Sequence, residues 1–121
     1  MQFIEKISYF LKQNGITFDI CGNELKDDPS NLVCLRATGG YSSQGSTTRY
    51  PTVQVLVRGE NYEVANEVAM KIYNLINDME FYWIEDVEII ASIAAQEPAY
   101  VLTDTKKRVV VTANYHFTIR R

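Results

Sequence analysis

The 121-residue chain predicts an α+β fold, a single domain over residues 1–121 with two helices packed on one face of a mostly antiparallel sheet of four to five strands. Three observations carry that expectation. In residues 50–79 a β-branched alternation at Val53, Val55 and Val57 gives way, across Gly59, to apolar residues that recur every three or four positions. A second amphipathic segment opens the chain, and a period-two alternation over residues 109–120 nearly closes it. Each apolar helix stripe needs a sheet face to cover, so these segments belong to one core.

Taken in order, Phe3, Ile4, Ile7, Phe10 and Leu11 share one face of a helix over residues 1–13, with Glu5, Lys6, Ser8 and Lys12 largely opposite. Asn14 and Gly15 tolerate the left-handed conformation of a C-cap and end it. Residues 16–21 (ITFDIC) read as an edge strand or an extended connector, and the polar run 22–31, with its Asp28-Pro29 step, as a loop. Residues 32–37 (LVCLRA) are apolar on both faces apart from Arg36, which describes a strand covered on one side and partly on the other. Residues 38–49 (TGGYSSQGSTTR), rich in Gly, Ser and Thr and free of aliphatic side chains, are expected to form a flexible loop or hairpin tip.

The strand over residues 50–58 follows, and Gly59 lets the backbone turn without a Cβ penalty. Asn61 is placed to cap a helix, with Glu60 and Glu63 near the positive end of its dipole. Ala65, Val68, Ala69, Ile72, Leu75, Ile76 and Met79 form the buried stripe. Residues 80–86 (EFYWIED) concentrate three aromatics and are expected to floor the core. Residues 87–95 predict a strand closed by Pro98, while Tyr100, Val101 and Leu102 make only a short apolar patch before the polar turn TDTKKR. The final strand places Val109, Val111, Ala113, Tyr115, Phe117 and Ile119 on one face.

Composition excludes several functions. A hydrophobic share of 46% and 22% charged residues argue against disorder, and a net charge of −3 lacks the basic excess that drives sequence-independent binding of nucleic acid. No apolar run approaches the ~20 residues that cross a bilayer, and the charged N-terminus does not resemble an export signal. Cys21 and Cys34 sit among apolar residues and are expected to be free thiols. With His116 the only histidine, no zinc site is expected.

Candidate chemistry is sparse. Residues 40–47 (GYSSQGST) have the glycine spacing of a phosphate loop but lack its lysine and precede a strand where a helix should begin. His116 alternates with Asn114 and Thr118 on a polar strand face, without a visible catalytic partner. Cys34 is set among apolar residues that leave a thiol inert. Asp27 and Asp28, and the set Glu85, Asp86 and Glu88, match no EF-hand spacing. No catalytic, cofactor-binding or metal-ligating residue is expected. The features that remain, a polar strand face, a long loop and the basic turn Lys106, Lys107, Arg108, suit a domain that works by contact. That turn is a hydrophilic hairpin or a charge contact with an acidic neighbour such as residues 85–88 of another copy.

The ordered pair YPTVQVLVRGENYEVANEVAMKIYNLIND and VEIIASIAAQEPAYVLTDTKKRVVVTANYHFTIRR resembles the bacteriophage minor capsid and tail-terminator proteins of long-tailed phages and prophages. The resemblance spans roughly residues 32–121. It implies a structural virion protein, assembled in the bacterial host cytoplasm, that forms a ring, commonly a hexamer, capping the tail tube and joining tail to head. Implied partners are other copies of the chain, the tail-tube protein and head–tail connector proteins, with DNA passing through the ring but no sequence-specific nucleic-acid contact. The contacts expected are Gly39, Gly40, Tyr41, Ser42, Gln44, Thr48 and Arg49 in the loop, and Lys106, Lys107 and Arg108 in the basic turn. Alternatives are another head–tail connector or head-completion protein, or a small-ligand or nucleotide-binding domain using the glycine-containing loop.

Overall fold

The computed structural model describes residues 2–41 and 47–120. Two helices, α1 (Phe3–Gln13) and α2 (Tyr62–Ile76), accompany seven strands: β1 (Asp19–Gly22), β2 (Leu32–Tyr41), β3 (Thr48–Gly59), β4 (Met79–Ile84), β5 (Val87–Ala94), β6 (Ala99–Thr103) and β7 (Val109–Arg120). The class is α+β, as expected, but the sheet is larger than four to five strands. Its order is β1-β2-β3-β7-β5-β4, with β6 also on β7. All pairs are antiparallel except β1 with β2, so the sheet is mixed.

The long strand β7 organises the sheet. One of its edges pairs along its length with β3, from Gly59↔Val109 to Thr48↔Arg120. The other is shared end to end: β5 takes the C-terminal half, from Glu88↔Arg120 to Ala94↔Tyr115, and β6 the N-terminal part, from Ala99↔Thr112 to Thr103↔Val109. At about 3.4 Å per residue, the 12 residues of β7 separate its two ends by about 40 Å.

Alternation then sorts the side chains. Val33 and Leu35 of β2, Val53, Val55 and Val57 of β3, and the odd-numbered residues of β7 share one face, where they meet Ile4, Ile7 and Leu11 of α1 and Ala65, Ala69, Ile72 and Ile76 of α2 in one core. Both helices therefore cover the same face. On the opposite face Cys34, Leu56 and Val110 form a small second cluster, with Cys21 and Leu25 against them.

Several expectations change in physical detail. Helix α2 begins as expected, with Asn61 Oδ1 accepting from Val64 N at 2.9 Å, but it stops at Ile76, and Met79 starts β4. Gly59 is needed for close approach: a Cβ there would stand 2.8 Å from Ala65 N and 3.1 Å from Ala65 Cα. Lys6 is buried along its stem and reaches the Asp86 carboxylate, so the polar side of α1 is less exposed than its pattern implies. The aromatic run is not a floor of the core. It is the edge strand β4, where Tyr82 turns inward while Phe81 is 73% and Trp83 63% exposed. Phe81 has φ +52 and lies level with the register shift between Ile89 and Ala91, where β5 bulges against β7.

Candidate assembly surfaces

Of the segment 38–49 expected as a flexible loop or hairpin tip, residues 38–41 end one strand and 48–49 begin the next. β2 runs to Tyr41 and β3 starts at Thr48, making a long hairpin. The register shifts between Ala37 and Gly40, and Gly39 and Gly40 have φ +90 and +129. A Cβ on Gly40 would meet Tyr50 O at 2.1 Å, so only glycine fits beside the Tyr50-Pro51 backbone. Gly39, Gly40, Thr48 and Arg49 thus sit near the tip of a β-hairpin, with Tyr41 ending β2, while Ser42 and Gln44 lie outside the described residues. A strand on either side of the glycine-containing segment removes the helix N-terminus that a phosphate loop requires.

The basic turn is held within the chain. Asp104 Oδ1 accepts from the backbone N–H groups of Lys106 and Arg108, each at 2.9 Å, and its Oδ2 accepts from Arg108 Nε at 2.8 Å. Arg108 Nη2 and Lys106 Nζ reach the two oxygens of Asp27 at 2.8 and 2.6 Å. Arg108 is consequently only 7% exposed, while Lys107, at φ +65, stays exposed at the apex. Hydrogen bonds from Lys106 and Arg108 lower the Asp27 pKa to about 2, and those from the Arg108 side of the turn lower that of Asp104.

Behind this clasp lies Arg58, 3% exposed, whose Nε donates to Ser30 O and whose Nη2 donates to the carbonyls of Asp27 and Pro29. Burial, and then the nearby charge of Arg108, lowers its pKa. Arg58 and Arg108 line a trough of about 590 Å³ on the sheet face that the helices leave uncovered. Leu25, Leu56, Val101, Leu102 and Val110 supply its apolar wall, and Arg36, Gln54 and Thr112 its polar one. Sequence reasoning missed this site. Its one visible signal is a lone arginine at the end of the apolar strand VQVLVRG.

The hairpin tip and the basic turn do not meet. Thr48 and Arg49 pair with Arg120 and Ile119 at the C-terminal end of β7, whereas residues 106–108 lead into its N-terminal end. His116 faces away from the core between Thr52 and Ile93. Cys21 and Cys34 are register partners on β1 and β2 and both are free thiols; burial, aided by Cys21, pushes the Cys34 thiol up to about 12. Among the described residues, no group of three or more His, Cys, Asp or Glu is placed to hold a metal ion, and no helix is long and apolar enough to cross a membrane.

The helix-backed sheet thus leaves one face uncovered and large apolar side chains exposed on its edge strands, the kind of surface through which chains can associate. The chain belongs to the bacteriophage tail terminator family, whose model, described as bacteriophage tail terminator protein, matches residues 10–121. A solved structure matches with a TM-score of 0.59 at 13% identity, over 98% of this chain and 91% of that one, which shows a shared fold. No curated protein matches. The family makes this a structural protein of the phage tail.

Proposed function

We propose that the protein ends the growing tail tube as a closed ring, commonly of six copies, and presents the surface to which the head is joined. The family match over residues 10–121 carries this reading. The architecture supports it, because different surfaces at the two ends of one long strand allow head-to-tail contacts, and such contacts close into a ring when the rotation between copies allows. The contacts lie at the end of the β2–β3 hairpin, through Gly39, Gly40, Tyr41, Thr48 and Arg49, with Ser42 and Gln44 outside the described residues, and at the basic turn, through Lys106 and Lys107, with Arg108 holding the turn in shape. Neighbouring copies, the tail-tube protein and the head–tail connector are the partners, the work is done by binding without catalysis, and the finished protein is part of the virion. Adding the purified protein to polymerising tail-tube subunits tests the capping role. Elongation followed by light scattering is expected to stop at substoichiometric protein; unchanged growth contradicts it.

A further inference from the structure

The trough on the uncovered sheet face holds three arginines, Arg36, Arg58 and Arg108, against two carboxylates, Asp27 and Asp104, both of which pair with Arg108. Arg58 donates only to carbonyl oxygens, its Nη1 has no hydrogen bond, and no carboxylate forms an ion pair with it among the described residues. Arg36 lines the same trough, bonds through Nε to Asn23 O, and likewise has no carboxylate ion pair among the described residues. Arg108, by contrast, is matched by Asp27 and Asp104. Asp27 and Asp104 act on Arg58 only at a distance, and a guanidinium taken out of water with no carboxylate hydrogen-bonded to it favours one that can reach it, because charge-assisted pairs of this kind are the stronger hydrogen bonds. The wall beside the arginines is aliphatic, and Val101 and Leu102 on β6 are almost half exposed. The occupant this describes has an acidic side chain next to a bulky apolar one.

The chain carries such a segment. At the β4–β5 corner Glu85 is exposed at φ +53, with neither a hydrogen bond nor an ion pair among the described residues, and two residues before it Trp83 lies open to solvent. Corner and trough stand at opposite ends of β7, since Glu88 pairs with Arg120 and Leu102 with Val110. They cannot meet within one copy, whereas copies arranged head to tail bring them together.

We propose that the trough receives the β4–β5 corner of the next copy, the Glu85 carboxylate against Arg36 and Arg58 and the Trp83 ring against Val101 and Leu102. The inference rests on the ring reading above and assigns its interface. Charge exchange tests it, read by native mass spectrometry and light scattering on the purified chain. Arg36→Glu and Glu85→Lys are each expected to weaken association at least about tenfold while leaving circular dichroism unchanged. Mixing the two variants, or combining both changes in one chain, is expected to recover most of the lost association, because residue 36 then again faces a residue 85 of opposite charge while Arg58 is unchanged. Glu85→Lys lies on an exposed turn and keeps the test decisive should Arg36→Glu not fold. A wild-type oligomer that Glu85→Lys leaves intact, or single variants that neither mixing nor combination rescues, overturns the corner-in-trough contact while the ring stands. A wild-type chain that stays monomeric overturns the ring in solution and this interface with it.

Discussion

Gly59 shows how one missing side chain holds two elements together. It has no need of a left-handed backbone, yet a Cβ would press on the backbone of Ala65 at 2.8 Å, and a helix backbone cannot swing aside as a long side chain can. Gly59→Ala is therefore expected to cost about 1–3 kcal/mol, the range for overpacking, read as a fall in the urea midpoint with an unchanged slope. Asp27 acts at the same scale through charge. Its carboxyl, at about 2 when folded against an ordinary 3.8, binds protons less readily in the native state, so its stabilisation is complete above about pH 4 and is lost as the pH falls toward 2. Asp104 shifts in the same direction. Asp27→Asn is expected to lower stability at pH 6 and to flatten its decline between pH 4 and pH 2, measured by urea unfolding across that range.

At the scale of elements, what the sequence revealed depended on which faces were buried. β3, α2 and β7 each present one apolar face to the core, and all three were legible as periods of two or of three and four. The cap of α2 was legible too, and Asn61→Ala is expected to cost about 1 kcal/mol, seen as a lower melting temperature. β4 and β6 were not legible as strands, because both lie on sheet edges. β6 has all five residues exposed, so no contrast between its faces marks it. β4 concentrates aromatics that read as core, but it turns only Tyr82 and Ile84 inward and shows Phe81 and Trp83 to solvent on the face the helices leave uncovered. The same physics hid the trough. Arg36 and Arg58 come from β2 and β3 and Arg108 from the turn before β7, and their convergence with Asp27 and Asp104 depends on a register that no local pattern encodes. The basic turn was found in sequence, but its clasp to Asp27, 79 residues from Lys106, was not.

For the whole molecule, β7 is an axis of about 40 Å with unlike surfaces at its ends. The hairpin tip and the Trp83–Glu85 corner lie at one end, and the clasp and the trough at the other. Unlike ends suit a subunit that binds its neighbours head to tail and leaves both rims of the ring free, one for the tube and one for the head. The helices take no part in this polarity. They bury the inner face, and most of the large apolar side chains left in water lie on β4, β5 and β6. In the proposed role this polarity serves to end a tail tube. Electron microscopy of tubes grown in the presence of the protein tests it most directly. A single ring of this chain at one end of each tube is the expected result; protein distributed along the tube wall, or tube ends with no added density, would contradict it.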